Sequence, residues 1–565
     1  RKWEKKIPQF EKFRGTLGKS AKQLAECLKF DTQFDRVADR LGTYAFLRTA
    51  EDTADGEAQS MLARFSNAGS RAQQAASFIQ PEIMAIADTK MKRFQKSKEL
   101  ADYSLLLERW LRFKPHTLSD QEEKLLAMQS EMASTAGQVF RQLHDADLKF
   151  GMIEDASGNN IELSHSSFSA CLNSSKRSVR KRAFHQYYEQ IDGHRNTLAA
   201  SLRGSIQGDV FRARARGFES AREASLFSDN VPASVYDNLI ASVHKHLPGL
   251  YRYYEIRQRR MRLKKIHHYD TYVPILSKLE VKHSWSQAVN VVVEALAPLG
   301  SNYCEVLEEG LKGRWCDRYE NQGKQSGAFS SGAYDGDPFI LMNYQSDVLS
   351  HVFTLAHEAG HSMHTWHSKT TQPMQYYQYT IFVAEVASTF NEQLLSRYLL
   401  ERATDKQQKA YLINREIDAI RGTIIRQTMF AEFEKITHAM ADNNEPLTLD
   451  AFKAVYRGLL ETYFGPDFTL DDELSLECLR IPHFYRAFYV YKYATGLSAA
   501  IALAERVLSG GESELNDYLN FLRGGCSKYS LDLLKDAGVD MRKPKPVDTA
   551  LKHFDQLVEE LDELL

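Results

Sequence analysis

Leu349-Ser350-His351-Val352-Phe353-Thr354-Leu355-Ala356-His357-Glu358-Ala359-Gly360-His361-Ser362-Met363-His364 is the stretch around which the chain is organised. On a helix, residues four apart share a face, so His357 and His361 can turn two imidazoles toward one ion, with Glu358 beside them. Zinc hydrolases use this arrangement. The pattern fixes only three positions and arises by accident in long chains, so its surroundings must decide.

A catalytic zinc takes three protein ligands and keeps a fourth position open. The next helical segment, Tyr379-Thr380-Ile381-Phe382-Val383-Ala384-Glu385-Val386-Ala387-Ser388-Thr389-Phe390, carries Glu385 as its lone charge. An isolated carboxylate among apolar neighbours is costly unless it meets a cation, which makes Glu385 the expected third ligand. Glu392, further along, reads as an ordinary polar-face glutamate. His364 and His367 read as structural or supporting, and His351 as outside the site. Zinc acidifies water and polarises a carbonyl, and Glu358 then serves as base toward the water and acid toward the leaving amine. An oxyanion donor is sought in Pro482-His483-Phe484-Tyr485-Arg486-Ala487-Phe488-Tyr489-Val490-Tyr491-Lys492-Tyr493. Tyr485, Tyr489 and Tyr493 are spaced by four, so a helix is predicted to stack their hydroxyls on one face, with His483 at its entrance.

Outward from these segments the pattern is mainly helical. Apolar residues recur every three or four positions from Phe10 to about Arg112, and Ser119-Asp120-Gln121-Glu122 matches a capping box that opens a helix reaching about His144. Period-two alternation on either side of Ser157-Gly158-Asn159 predicts a small β-hairpin. Long helices are expected again from Ser174 to about Arg216 and from Ala233 to about Lys265. The glycine-punctuated stretch from Arg314 to Tyr344 reads as an irregular β-rich insert, with Pro338-Phe339-Ile340-Leu341-Met342-Asn343 as a short strand whose edge could pair with a peptide. The basic runs Lys176–Arg182 and Arg257–Lys265 read as solvated helix faces.

Composition excludes several classes. The 72 lysines and arginines nearly balance 74 aspartates and glutamates, for a net charge of −2 in 565 residues, which gives no basis for nucleic-acid or membrane-surface binding. No apolar run approaches the ~18 residues that span a bilayer. Six scattered cysteines without a C-x-x-C pair fit reduced thiols and a cytoplasmic protein, although a chain that begins at Arg1 leaves a removed leader open.

Taken together, Gly327-Ala328-Phe329-Ser330, Pro338 to Tyr344, Phe353 to His364, Phe382-Val383-Ala384-Glu385 and Pro482-His483-Phe484-Tyr485 resemble the oligoendopeptidase F branch of the M3 zinc metallopeptidases, related to thimet oligopeptidase. The resemblance covers most of the chain from about Ser174 onward. It implies a mainly α, zincin-like shell enclosing a deep channel, with a small β-sheet next to the active site. It implies one Zn2+ per chain at His357, His361 and Glu385, Glu358 as general base, and His483 with one or two of Tyr485, Tyr489 and Tyr493 binding substrate or its oxyanion. A thermolysin-like aspartate four residues after the glutamate ligand is absent, Thr389 standing there, so a carboxylate that orients a ligand histidine must come from elsewhere. The expected division is an N-terminal helical domain over 1–170, ending in the hairpin, and a catalytic domain over 171–565. The expected activity is internal cleavage of short oligopeptides. Its rivals are a metallocarboxypeptidase on a similar helical shell and a catalytically silent peptide-binding protein. Oligomeric state and cleavage-site preference leave no signature in the sequence.

Overall fold

Where the sequence offers a side chain to take up free amides, a helix begins. In the computed structural model, which describes residues 1–277, 279 and 282–565, Ser119 and Glu122 form the expected reciprocal capping box at the start of Asp120–Ala133. The side chains of Ser20 and Asp55 accept from first-turn amides at the starts of Ala21–Glu51 and Gly56–Ala76, and a tight turn joins these two long helices. No helix among the described residues is long and apolar enough to cross a membrane.

The chain divides into two compact units, each drawn from three segments. The first comprises Arg1–Thr117, Glu280–Tyr398 and Leu503–Val539. Its N-terminal core gathers Trp3, Phe10, Leu24, Phe34 and Leu100, with the Trp3 and Phe34 rings stacked at 4.8 Å. The histidine helix Leu349–Thr371 and most of the following helix Ile381–Glu401 lie in the same unit. So does the β-rich insert.

The second unit comprises Leu118–Leu279, Leu399–Ala502 and Asp540–Leu565. It holds the hairpin, β1 (Met152–Glu154) against β2 (Asn160–Glu162), antiparallel with Ile153 opposite Ile161. Long helices dominate the unit, among them Arg195–Ala215, Ala233–Arg260 and Arg426–Asp442.

The insert of the first unit forms a three-stranded sheet. Its strands are β3 (Cys316–Asp317), β4 (Phe329–Ser331) and β5 (Phe339–Leu341), ordered β3-β5-β4. β3 runs parallel to β5 and β4 antiparallel to it, with Ser330 opposite Ile340, so β4 is an edge strand. The Ser330 hydroxyl meets that of Ser362 on the histidine helix at 2.8 Å, which ties this edge to that helix.

Most charged residues of the two basic runs are solvated as expected, Lys181, Arg182, Arg259, Arg260, Lys264 and Lys265 among them, but Arg180 and Arg257 depart from that reading. Arg180 is buried and, with Arg177, binds the fully buried Asp270, while buried Arg257 donates to the backbone carbonyls of Asp270 and Val273. A buried guanidinium persists only when its donors find acceptors, and these arginines hold the segment around Asp270 in place.

Candidate metal centre

Three side chains from two helices converge. The Glu385 carboxylate oxygen lies 3.3 Å from Nε2 of His357 and 3.6 Å from Nε2 of His361, and the three ligand atoms all lie within 4.8 Å of one another. Ligands on a tetrahedral zinc with bonds of 2.0–2.1 Å stand roughly 3.3 Å apart, so the spacing fits such an ion. The donor set fits as well: two imidazole nitrogens and one carboxylate form a three-ligand site with an open position. The side chains of His357, His361 and Glu385 remain 26, 17 and 36% exposed, so the cluster is accessible, as a catalytic site must be.

Electrostatics point the same way. Burial alone would favour a neutral His357, yet the carboxylates of Glu385 and Glu392 beside its ring outweigh it and raise its pKa to about 10. Glu385, with both imidazoles beside its carboxylate, is held well below the usual carboxylate range. Here the chain is arranged to hold a positive charge.

Glu358 is 6% exposed, and burial raises its carboxyl pKa against the pull of His357, His361 and the Ser330 amide. One of its oxygens has no protein partner. A carboxylate kept beside the ligands in this state suits a proton acceptor better than a structural support.

Supporting residues emerge that sequence reasoning passed over. Glu392 is the missing orienting carboxylate: Nδ1–H of His357 donates to it at 2.8 Å, which leaves Nε2 turned toward Glu385. It stands seven residues, two helical turns, beyond Glu385. The Ser388 hydroxyl donates to the Glu385 carboxylate at 3.0 Å.

Gly360 explains how the two helices come close enough. A Cβ there would lie 2.5 Å from the Ala387 carbonyl oxygen and 2.6 Å from the Ser388 Cα, so only glycine permits this crossing. Asn391 spans the same crossing by donating to the Ala356 carbonyl at 3.2 Å.

The histidines read as structural or supporting, His364 and His367, pack against aromatic rings. His364 stacks on Tyr379 at 3.6 Å and His367 on Tyr303 at 5.7 Å, and burial lowers the pKa of both, that of His367 to about 4. His351 accepts from the Gln345 amide. A second histidine and carboxylate group, His144, Asp145 and His165, is spaced closely enough for an ion, but its ring nitrogens are partly committed elsewhere. The two rings stack at 4.0 Å, and both nitrogens of His165 are engaged, by the Tyr187 hydroxyl and the His144 carbonyl.

The predicted tyrosine helix is not continuous. Pro482–Tyr485 forms a 3-10 turn, the chain passes through an irregular segment, and the helix starts only at Tyr491. Tyr485 stacks on Phe140 at 4.3 Å. His483, Tyr489 and Tyr493 form a separate group, with ring centroids 6.4, 6.1 and 5.3 Å apart in the order His483 to Tyr489, His483 to Tyr493, and Tyr489 to Tyr493.

Comparison with known proteins identifies the family. Residues 170–553 match Peptidase family M3, and residues 82–150 match Oligopeptidase F. Oligopeptidase PepF of Bacillus subtilis is 43% identical over 563 residues, 99% of this chain and 83% of that protein. A crystal structure of a peptidase from Chlamydophila abortus superposes with a TM-score of 0.95 at 34% identity, covering 100% of this chain and 96% of that one. Oligoendopeptidase-F from Enterococcus faecium, also 34% identical, gives a TM-score of 0.78 and covers 100% and 97%. The chain therefore belongs to peptidase family M3, in its oligoendopeptidase F branch, and is a metalloendopeptidase.

Proposed function

We propose that the metal is a single zinc ion held by His357, His361 and Glu385, and that the chain hydrolyses internal bonds of short oligopeptides. The observation that carries this reading is Glu358, buried beside the ligands with one oxygen unpartnered. A site that used metal only for structure would have no need of it. When bound, zinc supplies a Lewis acid that polarises the scissile carbonyl and acidifies water.

Glu358 takes the proton of the attacking water and passes it to the departing amine. Glu392 fixes the ring of His357, and Ser388 fixes the carboxylate of Glu385, so neither ligand must reorganise during turnover. His483, Tyr489 and Tyr493 are assigned to the substrate carbonyl and the oxyanion it becomes, their proximity to one another supporting a shared role. Tyr485, stacked on Phe140, is assigned to the wall of the binding surface. The outer edge of β4 offers backbone groups along which an extended peptide can lie. All six cysteines are free thiols, which supports a reducing, cytoplasmic setting.

A quenched peptide blocked at both termini tests the reading. Mass spectrometry is expected to find cleavage at an internal bond, with the rate falling sharply as the peptide is lengthened. Release of terminal residues from unblocked peptides alone would indicate an exopeptidase. Tight binding of the blocked peptide without product would indicate a silent binding protein.

A further inference from the structure

The irregular segment between the 3-10 turn and the helix of Tyr493 contains a non-glycine residue in the left-handed region. Phe488 has φ +57°, in the left-handed region; among the described residues the other non-glycine positions there are Asn230, Arg262 and Asn444. Asparagine tolerates that conformation, whereas a bulky aromatic residue strains in it and persists only where its surroundings over-determine it.

Those surroundings are specific. The Phe488 amide donates to the carboxyl of Glu434 at 3.0 Å, and both residues are almost wholly buried. The Phe488 ring lies 4.6 Å from His438 and 5.9 Å from Tyr236, whose hydroxyl in turn donates to the Ala431 carbonyl. Among the described residues, the second oxygen of Glu434 has no hydrogen-bond partner and no cation is paired with the first. Burial keeps this carboxyl protonated, far above the usual range. A buried acid with one hydrogen bond and an aromatic residue at positive φ is a costly way to start a helix, since a glycine at 488 would make the same turn unaided.

The consequence is the placement of Tyr489. In an unbroken helix Tyr489 would lie one turn before Tyr493 on the same face. The turn at Phe488 instead brings its ring parallel to that of His483, with an interplanar angle of 8°, and edge-on to Tyr493 at 88°. We propose that Glu434 is a positioning residue for peptide hydrolysis, holding the Phe488 turn so that His483, Tyr489 and Tyr493 converge on one substrate group. This rests on the role assigned to those three residues above.

The test compares Glu434→Met, which removes the acceptor at similar volume, with Glu434→Gln, which keeps one. With zinc content equal to wild type, Glu434→Met is expected to lower kcat on the blocked peptide roughly tenfold to a hundredfold, the range for a misplaced group. KM should change far less, and Glu434→Gln should restore most of the rate. Should Glu434→Met fail to fold, Glu434→Asp carries the same test, because its carboxyl is one methylene short of the amide. Wild-type kcat in folded Glu434→Met or Glu434→Asp overturns the proposal, and so does a Glu434→Gln as slow as Glu434→Met. A wild-type chain that cleaves no peptide removes the functional reading and this proposal together; active wild type with unaffected variants removes this proposal alone.

Discussion

Glu358→Gln is expected to lower kcat by roughly 10²–10⁴-fold, the range typical of a lost general base, while metal content stays at the wild-type level. Glutamine has nearly the same shape and the metal is assigned to three other side chains, so the variant separates binding from proton transfer. The burial that raises the Glu358 carboxyl also makes it a better base toward water than an exposed glutamate. Turnover of a quenched peptide measured beside metal analysis reads both quantities. Undiminished turnover with full metal content would reject Glu358 as the base.

Gly360→Ala is the second large effect, and it acts through packing. The added methyl group meets backbone atoms of Ala387 and Ser388, which cannot rotate away as a side chain would, so the two ligand-bearing helices must part. Overpacking of this kind costs about 1–3 kcal/mol, and displacing a ligand or its support lowers metal affinity on the order of tenfold to a hundredfold. Gly458, exposed within Leu449–Phe464 with nothing near its would-be Cβ, is the control. There the same substitution should stabilise by up to ~1 kcal/mol through helix propensity. Urea unfolding of the two variants should therefore give shifts of opposite sign, and equal shifts would show that the crossing is not tight.

The convergence of His357, His361 and Glu385 was legible because helical spacing converts directly into a shared face, and because Glu385 is a charge stranded among apolar residues. Glu392 was not. Its reach to Nδ1 of His357 depends on how the two helices cross, which Gly360 permits but a linear reading cannot measure. The capping box at Ser119 and the hairpin were readable from local chemistry alone. The break in the tyrosine segment was invisible for the opposite reason: no glycine, proline or asparagine lies between Arg486 and Val490, and the left-handed turn at Phe488 is imposed by Glu434, more than fifty residues earlier in the chain. Similarly, Arg180 and Arg257 looked like members of solvated charge runs until Asp270 and the carbonyls they serve were placed against them.

Zinc titration of metal-stripped protein tests the central claim most directly. Turnover of the doubly blocked peptide should be lost on stripping, rise linearly as zinc is returned, and break at one equivalent per chain. Full turnover by the stripped chain, or a break at another ratio, would contradict a single zinc at His357, His361 and Glu385.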